Sequence, residues 1–93
     1  MINSTTETLQ KAITAHQEGK LEEAERLYRE ILEIEPTHPD ANHNLGVLSV
    51  YLGKTAYALS LFKTATEVNP NTKQFWISYS DALIKEKSLR KPK

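Results

Sequence analysis

The stretch "ALSLFKTATEVNP" at residues 58–70 restates "AERLYREILEIEP" at residues 24–36, 34 positions earlier. Each begins with alanine, places an aromatic four residues on, continues with small or aliphatic residues at helical spacing, and closes on proline. The turn glycines Gly19 and Gly53 keep the same offset of 34. A period of this length, written in apolar residues three and four apart, constrains the fold more than any bulk property. It implies stacked copies of one two-helix unit, because a single unit cannot bury its apolar face alone.

Breakers divide the chain at near-even intervals: Gly19-Lys20, Pro36 to Pro39, Gly53-Lys54 and Asn69 to Thr72. Between them Ala24, Leu27, Tyr28, Ile31, Leu32 and Ile34 follow the helical rhythm, as do Leu45, Leu48 and Leu52, then Leu59, Phe62 and Ala65. Helices are therefore predicted at about 5–18, 21–35, 39–52, 55–68 and 73–88, with no strand. Ser4 with Glu7, and Asn71 with Gln74, read as capping boxes. Pro39-Asp40 suits a first helical turn, where a missing N–H costs nothing and an acid meets the dipole. Glu22 with Arg26 and Glu25 with Arg29 are expected to pair along a solvent-facing strip.

These positions resemble the tetratricopeptide repeat. The middle unit matches its pattern through Asn42, Leu45-Gly46, Ser49, Ala58, Phe62, Ala65 and Pro70. The first does so through Ala12, Ala15, Ala24, Tyr28, Ile31 and Pro36, with Thr8 and Lys11 departing from it. A third begins at Trp76, Tyr79-Ser80 and Leu83. The resemblance covers about residues 5–88 and implies an all-α, α/α superhelical solenoid: two complete helix pairs plus a fifth, C-terminal capping helix. As one domain over 1–93, repeat 1 takes about 5–38, repeat 2 about 39–72, the half repeat 73–88 and a basic tail 89–93. Small Ala12, Gly46 and Ser80 would let the first helix of each pair approach its partner. Tyr28 and Phe62 would fill the space where repeats meet, and Pro36 and Pro70 would stop each second helix.

Composition removes several function classes. Acids and bases balance at twelve each, so no global charge draws nucleic acid or a membrane. Residues 85–93 hold five bases and one acid, which reads as a solvated end or a small anion contact. Cysteine is absent, which leaves no disulfide, thiolate metal site or cysteine nucleophile. The start lacks a secretory pattern, which makes the Asn3-Ser4-Thr5 sequon coincidental and a cytoplasmic location the expectation. The three histidines, His16, His38 and His43, have no spacing that sets two imidazoles toward one metal. Asp40 with His43 is at most a two-ligand pair. No enzyme activity, cofactor or metal is expected.

In the family it resembles, the first helix of each pair lines a concave groove that takes a peptide or partner helix. The resemblance places Leu9, Ile13 and His16, then His43, Asn44, Val47 and Tyr51, then Gln74, Ser78 and Asp81 on that face. Gln10, Gln17, Val50, Ile77 and Lys85 belong to the same face, and Val47 and Val50 are equally consistent with packing between inner helices. A subclass of the family clamps a C-terminal carboxylate with basic and amide residues. Here Leu9, Ile13, Gln74 and Ser78 stand at those places and only Asn44 is retained, so that ligand is disfavoured. Asn44 is also consistent with a structural bridge.

The expected function is a non-catalytic scaffold or adaptor for a protein or peptide partner. Two other readings stand beside it. Trp76, Tyr79 and Leu83 lack a following helix and could join copies into a homodimer. Or the repeats could be the accessory domain of a larger glycosyl- or sulfotransferase-like enzyme.

Overall fold

Five helices and four short turns account for residues 4–89, the span described by the computed structural model. They are α1 (Ser4–Gln17), α2 (Leu21–Ile34), α3 (Pro39–Tyr51), α4 (Thr55–Val68) and α5 (Lys73–Leu89). Every predicted helix is present, within two residues at each end, and the described residues contain no strand. Residue 3 of the sequon and residues 90–93 of the basic tail lie outside the described span.

Two kinds of turn alternate, and each recurs with the sequence period. Within a pair, the chain leaves the helix through a glycine at φ 80° (Gly19) or 82° (Gly53), a conformation that costs other residues a Cβ clash. Lys20 N–H then reaches Ala15 O at 2.8 Å and Gly19 N–H reaches His16 O at 3.1 Å. Lys54 to Ser49 O (2.7 Å) and Gly53 to Val50 O (3.0 Å) repeat this geometry, so both are Schellman closures that satisfy the last carbonyls.

Between pairs, prolines end the second helix, and the following turn is tied by a side chain. Asn42, almost wholly buried, donates to Pro36 O at 3.1 Å and to His38 O at 2.9 Å. One repeat later Trp76 Nε1 donates to Pro70 O at 2.7 Å. An amide and an indole, chemically unlike, thus perform the same task six residues after equivalent prolines. The α3 N-terminus has Pro39 in its first turn, as expected, but its cap is His38, whose Nδ1 accepts from Ala41 N at 3.1 Å.

Neither predicted capping box forms as expected. Ser4 already lies within helix α1 rather than at its cap. Helix α5 starts at Lys73, past Asn71, and the Gln74 amide points forward to Ser78 instead of back. The charge strip is also rearranged. Glu25 pairs with Arg29 at 2.9 Å, but Arg26 turns to Glu30 at 3.4 Å and leaves Glu22. Glu25 also takes Lys54 at 3.3 Å, which links α2 to the turn before α4.

Packing follows the chain: α1 on α2, α2 on α3, α3 on α4, α4 on α5, with α3 also touching α5. One apolar cluster joins Ala12, Ala15, Ala24, Leu27 and Tyr28 to Leu45, Leu48 and Leu61. A second joins Ala58 and Phe62 to Ala82, with Tyr79, Val50 and Leu59 against it. Tyr28 and Phe62 are each about 1% exposed, which places both aromatics where one repeat meets the next. A Cβ built on Gly46 would lie 2.5 Å from Phe62 Cε1, well inside carbon contact distance. The small residue there is what lets the ring seat.

Candidate functional site

Helix α3 packs on α2, α4 and α5, while α1 packs on α2. Most of the polar side chains expected on a groove face are bonded to one another rather than free. His43 Nδ1 lies 3.2 Å from Asn44 Oδ1, and its Nε2 lies 2.8 Å from Ser78 Oγ on α5. Because an amide oxygen only accepts, Nδ1 carries the proton and the neutral ring accepts the Ser78 hydroxyl at Nε2. Ser78 in turn accepts from Gln74 Nε2 at 3.2 Å. On the other flank the Tyr28 hydroxyl sits 3.2 Å from His16 Nδ1, with the two rings edge to face. The Asn44 amide is turned toward the same hydroxyl. The result is a chain of polar groups from α1 through α2 and α3 to α5.

Its members are partly dry. Burial pushes the Tyr28 hydroxyl up to about 12, with Asn44 pulling weakly the other way. Burial holds the His43 imidazole below its ordinary value, against opposing pulls from the Asn44 hydrogen bond and the Asp40 charge. His16 is lowered for the same reason, its burial. His43 is further fixed by rings: it stacks on Phe75 with centroids 4.8 Å apart and tilts against Phe62 at 5.6 Å. Both its nitrogens are engaged, so it offers no lone pair to a metal shared with Asp40. Among the described residues no group of three His, Cys, Asp or Glu side chains could hold a metal. Among them, too, no helix is long and apolar enough to cross a membrane.

The apolar members divide between core and surface. Leu9 packs on the first cluster and Ile13 is half-buried. Val50 packs against Phe62 and its neighbours, whereas Val47 remains 39% exposed and Tyr51 76% exposed. Between α3 and α5 lies a shallow depression of about 170 Å³, lined by Val47, Val50, Phe62, Ser78, Asp81 and Ala82. Ile77 and Ile84 on α5 are also exposed. Gln74, Ser78 and Asp81 therefore share a surface with Val47, while His16 and Leu9 sit at the far end beside Tyr28 and the first core.

The residues considered for self-association separate as well. Tyr79 turns inward against Ala58, Phe62 and Ala82. Trp76, 45% exposed, and Leu83, 47% exposed, remain at the surface. Beside Trp76 is a wider depression bounded by Pro70, Asn71, Lys73, Ile77, Ser80 and Asp81.

Sequence reasoning missed Tyr28 as a member of the polar chain, since its hydroxyl meets His16 twelve residues back only through the fold. It also missed the tie shared by Asn42 and Trp76. A signal for that tie was present, in two N–H donors each six residues after a proline and 34 apart.

Comparison with known proteins places these features in a family. The tetratricopeptide repeat model matches residues 15–81. The chain is also similar to tetratricopeptide repeat protein 7B of Homo sapiens, with 31% identity over 65 residues. That alignment takes in 70% of this chain and 8% of the human protein, so the chain spans a small fraction of its relative's length.

Proposed function

Because the chain belongs to the tetratricopeptide repeat family, whose repeats generally mediate protein–protein interaction, we propose that it is a non-catalytic adaptor holding a peptide or partner helix across α1, α3 and α5. The observation that supports this most is the pairing of exposed apolar groups, Val47, Tyr51 and Ile77, with a polar chain already fixed by its own hydrogen bonds. An apolar surface with a few oriented polar groups suits a short segment of partner chain. Groups held in place before binding lose little freedom on binding. The test is a displayed peptide library selected on wild type and counter-screened on Val47→Glu/Tyr51→Glu. Both positions are exposed, so the variant is expected to keep its helical circular dichroism. Binders lost on the variant uphold the reading; binders that hold both proteins equally place the binding surface elsewhere.

A second reading is supported by Trp76, Leu83, Ile84 and Leu89, which leave α5 with exposed apolar side chains. On that reading two copies pair through α5. Sedimentation equilibrium of wild type and Leu83→Glu discriminates: a dimer dissolved by the substitution favours self-association, and a concentration-independent monomer ends it.

A further inference from the structure

The depression between α3 and α5 selects for one kind of side chain. Its apolar lining comes from buried Phe62 and Ala82 and from the more exposed Val47 and Val50. Its polar lining comes from Ser78 and Asp81. At about 170 Å³ it has room for one extended side chain and little more.

Charge narrows the occupant further. Among the described residues the ion pairs are Lys20–Glu18, Arg26–Glu30, Arg29–Glu25 and Lys54–Glu25, and Asp81 is in none of them. Lys85, one helical turn on, does not come within ion-pair distance of it. The neighbouring His43 is kept toward its neutral form by burial. Among the described residues Asp81 is therefore the only formal charge lining the depression. A purely aliphatic occupant would fill the floor but strip water from that carboxylate without replacing it. An acidic one would meet like charge. A lysine or arginine meets both halves, laying its methylenes on Val47, Val50 and Phe62 while its head reaches Asp81. Ser78 donates to His43 and accepts from Gln74, which leaves it a lone pair for the same head.

The geometry points to a cationic anchor: the partner segment inserts a lysine or arginine side chain between α3 and α5, with Asp81 as its counter-charge. This rests on the reading of the α1–α3–α5 side as a partner surface, and it makes the partner basic at one position.

The test uses n-pentylammonium chloride as a lysine-like probe and sodium hexanoate as its anionic counterpart, titrated into isotope-labelled protein and followed by amide shifts. Pentylammonium is expected to produce saturating shifts at Val47, Ser78, Asp81 and Ala82, and hexanoate none there. Asp81→Asn, at an exposed position, should weaken pentylammonium about two- to five-fold, the order of one solvent-accessible ion pair. Equal response to both probes, no saturation, or an unaltered affinity in Asp81→Asn would overturn the assignment. The outcome is separable from the broader reading. Library peptides that bind through Val47 and Tyr51 yet ignore Asp81→Asn leave the adaptor standing and remove the cationic anchor. A pocket that saturates with pentylammonium while no peptide is selected does the reverse.

Discussion

Gly46→Ala adds one methyl group and should destabilise the protein even though it removes a glycine from a helix. Two effects oppose each other. In an unobstructed helix interior, alanine is better than glycine by about 1 kcal/mol. Here the new Cβ would lie 2.5, 2.8 and 2.9 Å from three atoms of the Phe62 ring. Ordinary carbon contacts begin near 3.5 Å, so the ring or the α3–α4 spacing must give by about 1 Å. Phe62 is 1% exposed, with Ala58 and Ala82 in its cluster and His43 against its ring, so little gives easily.

Overpacking of this kind costs about 1–3 kcal/mol, and simultaneous contact with three ring atoms argues for the upper half of that range. Subtracting the propensity gain leaves a net loss of about 1–2 kcal/mol, or a fall in Tm of about 4–16 °C for a domain of this size. The assay is urea denaturation followed by circular dichroism, applied to Gly46→Ala, Phe62→Leu and the double variant. The double variant should be more stable than the sum of its parts requires, because leucine vacates the space of the ring. Gly53→Ala is the control. Its Cβ would meet nothing, so its cost of about 1–2 kcal/mol comes from φ alone and should add independently to Phe62→Leu. A Gly46→Ala protein more stable than wild type by the propensity difference would refute the steric account.

Three further outcomes follow from single contacts. Ser49→Ala should stabilise by about 1 kcal/mol, because the Ser49 hydroxyl is buried without a hydrogen-bond partner among the described residues and Ala15 fills the equivalent place in the first repeat; a loss of stability in thermal melts would contradict this. Asn42→Ala should cost about 1–3 kcal/mol in urea titrations by releasing the Pro36 and His38 carbonyls, and a neutral result would deny Asn42 its role in the turn. Lowering the pH from 7 to 5 should lower stability. His16 and His43 are both held below 6.5 in the fold, so the unfolded chain takes up protons first. Their contribution is complete above 6.5 and is lost as pH falls through the unfolded value toward the depressed folded ones. Glu25 is lowered below 4.5 and so acts beneath this window. His43→Gln should flatten the slope, leaving the His16 part; an unchanged slope would remove His43 from the account.

The legible part of this molecule is the part written locally. Helix positions, the two Schellman glycines and the proline stops depend on residues within about one turn of each other, where spacing and backbone conformation decide the outcome. The period of 34 then fixes the stacking order, because each copy needs its neighbour to cover the same apolar face. Tyr28, Phe62 and Gly46 could be assigned their packing tasks on that basis.

The polar surface was decided elsewhere. Ser78 meets His43 across 35 residues and Tyr28 meets His16 across 12, so their bonding depends on how α1, α2, α3 and α5 dock. Spacing within one helix also left choices between equivalent partners that it could not decide. Gln74 had a cap within reach by spacing but found Ser78, and Arg26 had acids one turn away on either side and took Glu30. His43 shows the division most clearly. Its position at residue 43 follows from the repeat, which puts it on the first helix of the second pair. That it lies stacked on Phe75, dry and bonded at both nitrogens, is a consequence of α5 packing against α3 and α4. Periodicity specifies which face a residue belongs to; only the docked neighbours specify whether that face holds water, a ring or another side chain's proton.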